Sequence, residues 1–226
     1  MNTTIKSTAI AVAVAGLFAA QPAVADNLTF SGFANGSVTS YIYNTPSPVG
    51  GNPTGVSAGG FNMTNTTAGG TFQAWCVDIF SWLSTSSTPY TLTAGSTFFN
   101  STTATALERL ASNNLASVTG NATNSAAFQL AVWEIVNETT TTYSVSGGTF
   151  YATGAAAATA NSMLANLGTA TPTMTLSVWK EVPGYATQDL AVFAPVPEPE
   201  TYAMMLAGLG LMGFVARRRK QEQEYA

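Results

Sequence analysis

Apolar and polar positions along the chain change rhythm twice. From Asn27 to Asn44 (NLTFSGFANGSVTSYIYN) β-branched and aromatic residues partly alternate with polar ones around the Asn35-Gly36 pair. That pair suits a tight turn, so the stretch predicts two strands joined as a hairpin. Residues 45–60, rich in Pro, Gly and Ser, read as a loop. Phe61–Thr64, Thr71–Leu83 and Tyr90–Thr93 are further strand candidates, separated by Gly69-Gly70 and by the polar run Ser84–Thr88 with Pro89 after it. The period then lengthens. In Ala104–Val118 the apolar residues Leu107, Leu110, Ala111 and Leu115 fall at helical spacing, with Thr103 or Thr105 available as N-cap and Gly120 to end the helix. Ala126–Asn137 (AAFQLAVWEIVN) is apolar nearly all round, which predicts a buried helix capped by Asn124 or Ser125. The Ala-rich stretch Ala152–Leu167 predicts a third helix that stops at Gly168, and Met174–Val182 and Leu190–Phe193 read as strands again. Strands, then helices, then strands argue for an α+β fold: a sheet or sandwich-like domain with an inserted group of about three helices.

The two ends have a different character. Met1–Lys6 carries one positive charge, Ala9–Ala20 is apolar, and Ala23-Val24-Ala25 is a small-x-small cleavage signature. Residues 1–25 are therefore expected to be a signal helix removed by signal peptidase, with Asp26 as the first mature residue. At the other end Pro197, Glu198, Pro199 and Glu200 precede an apolar run from Tyr202 to Ala216, closed by Arg217, Arg218, Arg219 and Lys220. As a helix at ~1.5 Å per residue that run is roughly 22 Å long, short of the ~30 Å hydrocarbon core, so it enters a bilayer transiently rather than spanning it comfortably. The basic cluster stays cytoplasmic, which puts everything before Val196 outside. Residues 26–195 form the mature part, about 170 residues, enough for one domain with a proper core.

The order Pro-Glu-Pro, short Gly-containing apolar helix, basic cluster resembles the PEP-CTERM sorting signal of Gram-negative bacteria. The resemblance implies that residues 196–226 are read by an exosortase, which cleaves near Pro197 to Glu200. It also implies an exported protein of the cell envelope, outer surface or extracellular matrix, reached through a membrane-inserted intermediate.

Composition narrows the function. Between Asp26 and Pro195 the acids are Asp26, Asp78, Glu108, Glu134, Glu138, Glu181 and Asp189, against only Arg109 and Lys180 as bases. Such a surface has no footprint for nucleic acid. The chain has no histidine, which excludes His-based catalytic triads and His metal sites, and its single cysteine excludes an internal disulfide. No dense acidic loop suits a cation, so neither metal nor cofactor is expected. With no recognisable nucleophile and base pair, the chain reads as a non-enzyme.

One pair of short motifs carries candidate chemistry. Cys76 lies in Ala-Trp-Cys-Val-Asp on a predicted strand, and Gln129 in Phe-Gln-Leu-Ala-Val-Trp on the most buried helix. By residue chemistry alone Cys76, Trp75, Phe128 and Trp133 describe an ordinary core, with Gln129 bonding backbone groups at the sheet–helix junction. Together the two motifs resemble the thioester domains of bacterial surface adhesins. That resemblance implies an internal thioester, with Cys76 supplying the sulfur, Gln129 the acyl carbon, and Trp75, Ala131 and Trp133 supporting the motifs. An amine-bearing surface partner would then be captured covalently. Asp78, Glu134 and Tyr143 lie near one motif or the other in sequence and could assist proton transfer. The rival expectation is a passive structural protein, or one associated with an extracellular polysaccharide in a biofilm matrix, with an inert buried Cys76.

Overall fold

The computed structural model describes residues 25–196 and 204–212. Among them, strands run as β1 (Asp26–Phe33), β2 (Val38–Asn44), β3 (Thr54–Ala58), β4 (Phe61–Asn65), β5 (Thr71–Cys76), β6 (Thr88–Ala94), β7 (Phe150–Thr153), β8 (Met174–Glu181) and β9 (Leu190–Pro195). Helices are α1 (Gly95–Phe98), α2 (Ser101–Asn114) continued by a 3₁₀ turn at Leu115–Val118, α3 (Ala122–Asn137) and α4 (Ala157–Ala165). Six strands close into a barrel in the order β1-β4-β5-β9-β8-β6, every pairing antiparallel. The other three form a separate sheet, β3-β2-β7.

This mixed fold has a barrel where sandwich-like layers were expected, because β1 pairs with β6 as well as β4 and so leaves the sheet no free edge. The same double pairing rules out the expected hairpin. A strand has two edges, and both edges of β1 are taken, so β2 crosses to the second sheet and pairs with β3 and β7. The Asn35-Gly36 turn does exist, with Gly36 at φ 79°, but it redirects the chain between sheets. Its Asn35 side chain accepts the Gly120 N–H at 2.9 Å.

Other differences have local causes. Strand β3 arises inside the expected 45–60 loop, since Thr54 and Ala58 are buried against neighbours that the sequence does not announce. Strand β5 stops at Cys76 instead of Leu83: the Asp78 carboxylate accepts the Phe80 N–H at 2.7 Å, an Asx turn that bends the chain away. The third helix begins at Ala157, and part of its expected span is β7, whose Tyr151 stacks on Tyr43 of β2 at 4.2 Å between ring centroids. The caps of α2 and α3 are Asn100 and Asn121, whose side chains accept the N–H of Thr103 and Asn124, so both helices start earlier than expected.

Between β6 and β8, neighbours in the barrel, run the helices and β7. Helix α3 is the centre of the molecule. Every residue from Ser125 to Ile135 is buried, and the helix packs on β5 of the barrel, on all three strands of the second sheet, and on α2 and α4. Burying Phe128, Leu130, Val132 and Ile135 stabilises the fold by roughly 1.5–3 kcal/mol each. Ala126, Ala127 and Ala131 keep its surface low enough for close approach from several sides. At the C-terminal end, residues 204–212 are helical and exposed. No helix among the described residues is long and apolar enough to cross a membrane.

Candidate functional site

The site forms where β5 ends against α3. Apolar Trp75 and Cys76, both buried, terminate the strand, and the Trp75 ring packs 4.4 Å from Phe128 of α3. On one side β5 is paired with β9, Trp75 opposite Ala191 and Cys76 opposite Leu190. On the other side its antiparallel partner β4 does not reach it, since β4 begins at Phe61, opposite Ala74. The main chain of Cys76 would therefore face the core unpaired on that edge.

Gln129 completes it. Its Oε1 accepts the Cys76 N–H at 3.0 Å, and its Nε2 donates to the Cys76 carbonyl at 2.7 Å. The carboxamide thus replaces the missing strand with a two-point bond, and leaving those main-chain groups unpaired would cost about 1–3 kcal/mol each. Gln129 and Cys76 are only 1% and 0% exposed. The sequence therefore brings its two predicted residues into direct contact although 53 positions separate them.

The thiol is neutral at rest. Burial drives its pKa well above the ordinary thiol range, with the charges of Asp78 and Asp189 adding to the rise. The Trp133 indole works in the opposite direction, favouring the thiolate, though its N–H reaches no complete hydrogen bond of its own. At present Sγ donates to the Asp78 carbonyl at 2.9 Å.

A cavity of about 270 Å³ reaches this point from the surface, with Gln129 and Trp133 among its lining residues. Its walls are mainly apolar, built from Phe30, Phe33 and Phe61 of the barrel side and Val56 of β3, with Trp82 on one side. Trp82 is 56% exposed, and its ring lies 3.0 Å from where a Cβ on Gly50 would sit. Its segment is tied down by three hydrogen bonds: Val49 N–H to the Ile79 carbonyl, Ser84 N–H to Thr187 Oγ1, and Gln188 Nε2 to the Ser81 carbonyl.

Of the supporting residues, Trp75 is core packing, Ala131 is fully buried inside α3, and Trp133 stands beside both the thiol and the cavity. Asp78 does lie at Cys76. Glu134 and Tyr143 do not share that surrounding; they face each other across the segment after α3, where Glu134 accepts the Ser144 N–H. The local sequence did not point to Asp189 or Tyr90. Burial raises the pKa of both, and β9 and β6 bring them within electrostatic reach of Cys76. For Asp189 the pairing of β5 with β9 carries that information, and for Tyr90 the closing of the barrel. Ala25 directly precedes β1, whereas Ala23, Pro197, Glu198, Pro199 and Arg217 to Lys220 fall outside the described residues.

Residues 195–220 match the PEP-CTERM protein-sorting motif. The chain is an exported protein of the cell envelope or surface, processed by an exosortase. A search of curated proteins gave no match. Among solved structures the chain is similar to the N-terminal thioester domain of a surface protein from Clostridium perfringens, at 13% identity and a TM-score of 0.41, over 70% of this chain and 99% of that one. A cysteine-to-alanine mutant of the same domain is similar at 12% identity and a TM-score of 0.43, over 61% and 89%. The likeness is distant, and the site stands on its own geometry.

Proposed function

We propose that residues 26–195 are the mature part of a sorted surface or matrix protein of a Gram-negative bacterium, and that Cys76 and Gln129 form an internal thioester that captures an amine-bearing partner. One observation carries this reading: the carboxamide to be attacked is held at both ends by the main chain of the residue that bears the thiol. The Cys76 N–H, already 3.0 Å from Oε1, is aimed where negative charge develops when Sγ adds to the Gln129 carbonyl carbon. The thiol must first leave the Asp78 carbonyl. The C–N bond then breaks and ammonia departs with the thiol proton, leaving a buried acyl–sulfur bond at the apolar-walled cavity. A primary amine entering by the apolar cavity attacks the same carbon. The C–S bond breaks, an amide forms at Gln129, and the proton lost by the amine returns Cys76 to the thiol. The bond is made once, so the protein acts as a single-use coupler and not as a turnover enzyme, and it needs no metal or cofactor. The apolar run 202–216 serves as a transient membrane stop during sorting, with Arg217 to Lys220 on the cytoplasmic side.

A passive matrix protein is the second reading, and a specific observation favours it. Gln129 satisfies the open edge of β5 and the thiol satisfies itself on Asp78, so the site is also complete without chemistry. Intact mass of the exported protein, with and without methylamine, separates the two. A mass short by one ammonia, a blocked thiol, and methylamine addition that restores a free thiol would support the coupler. A full mass with a merely buried thiol would leave Cys76 as core packing.

A further inference from the structure

A second cavity lies away from Cys76, between the first half of α2, the end of α4 and the segment that follows α3. It encloses about 690 Å³, within the roughly 300–1,000 Å³ range of small-ligand sites. Its lining alternates hydroxyls with short apolar groups: Thr102 and Thr105 on α2, Thr142 beyond α3, and Leu164 on α4. Two other lining residues give the cavity direction, Arg109 and Tyr143.

Arg109 is held rigid. Its Nε donates to the Ala170 carbonyl and its Nη2 to the Thr169 carbonyl, both at 3.1 Å. A guanidinium has five N–H donors, and two are used there. Those two bonds fix the guanidinium plane against the backbone at the edge of the cavity. It is one of only two basic residues between Asp26 and Pro195, so its place in a cavity is not the result of abundant surface charge.

Tyr143 is positioned with similar care. The segment carrying it is pinned at both ends: Glu138 accepts the N–H of Thr139 and Thr149, Glu134 accepts that of Ser144, and Asn161 accepts that of Val145. Burial and the carboxylates of Glu134 and Glu138 raise the Tyr143 pKa, so the phenol stays a donor. The half-buried ring meanwhile offers a flat apolar face.

We infer that this cavity binds a saccharide segment of an extracellular glycan. A sugar ring presents hydroxyls around its edge and C–H groups on its faces, which fits walls that mix hydroxyls, one fixed fork of donors and one aromatic face. A strongly anionic ligand fits poorly, with one cation present and two carboxylates behind Tyr143. The site is independent of the thioester reading. Gln129 and Glu134 are about 140° apart around α3 at 3.6 residues per turn, so the helix separates the two.

Calorimetric titration of the exported protein with two probes, a neutral β-glucan hexasaccharide and an oligogalacturonate, tests it. Binding of the neutral glucan supports the inference and assigns paired hydroxyls to Arg109; binding of the polyanionic uronate alone overturns it. Thr102→Trp, a change at an exposed helix position, fills the cavity and is expected to weaken binding by at least tenfold. Tyr143→Phe removes one hydrogen bond and is expected to weaken it by about two- to tenfold, with the thermal melt of both variants unchanged. Absence of binding by both probes at millimolar concentration overturns the inference. So does binding that neither variant alters.

Discussion

Among the described residues, Glu134 is a carboxyl whose surroundings support its charge poorly. It is fully buried, Oε1 accepts the Ser144 N–H at 2.7 Å, and Oε2 has no partner. Burial pushes its pKa from the ordinary 4.5 up to about 7, the Ser144 N–H opposing the rise and Glu138 adding to it. The unfolded chain releases this proton near 4.5 while the native state keeps it to about 7. Stability is therefore complete below the lower value, falls as pH rises between the two, and is flat above. At ~1.4 kcal/mol for each factor of ten in affinity, the loss approaches about 3 kcal/mol. Glu134→Gln keeps the acceptor for Ser144 and cannot ionise. It should be about 1–2 kcal/mol more stable than the parent at pH 8, after the cost of a buried amide N–H, and no more stable near pH 4.5. Urea unfolding midpoints measured from pH 4.5 to 8 check this. Asp189, also raised by burial, leaves a residual slope in both proteins. In Glu138 burial works against ionisation, but the N–H groups of Thr139 and Thr149 outweigh it and lower the pKa, so its own contribution is lost only at more acid pH. Parallel stability curves for parent and variant would refute the assignment of the slope to Glu134.

Gln129→Leu strips two hydrogen bonds from the buried main chain of Cys76 and should cost about 2–5 kcal/mol in chemical denaturation; a cost below 1 kcal/mol would mean that water or a shifted backbone replaces them. Gly60→Ala places a Cβ 2.8 Å from the Trp75 ring and 2.6 Å from Gln73 Nε2, with the backbone itself unstrained. The expected loss is about 1–3 kcal/mol, together with a change in Trp fluorescence as Trp75 is displaced from Phe128. Asn121→Ala removes the N-cap of α3 and should lower stability by ~1 kcal/mol, a loss that Asn121→Ser largely restores.

Much of the site was legible because its signals are local. An apolar surface all round Ala126–Asn137 can only mean a buried helix, and a polar Gln129 within it must find a partner. That Cys76 lies on an apolar strand was readable in the same way, though its place at the strand's end was not, and the strands within residues 174–195 and the sorting motif were readable too. The hairpin was not, because a turn sequence specifies a bend and leaves the partner of the strand beyond it open. Strand β3 lay hidden in a Pro/Gly-rich stretch, since beyond its pairing with β2 it packs on α3, far along the chain.

The sequence by itself determined where most helices and strands lie, which helix had to be central, and the sorting motif at residues 195–220. It also excluded histidine chemistry and disulfides by composition alone. Tertiary structure decided the rest: that six strands close into a barrel, that β4 begins too late to cover one edge of Cys76, and that Gln129 fills it. It also brought Asp189 toward the thiol and joined α2, α4 and the Tyr143 segment around one cavity. The physical reason is common to all of these. Periodicity reports which face of an element is buried, but the identity of the group against that face depends on which edges and surfaces remain unpaired once the whole chain has closed.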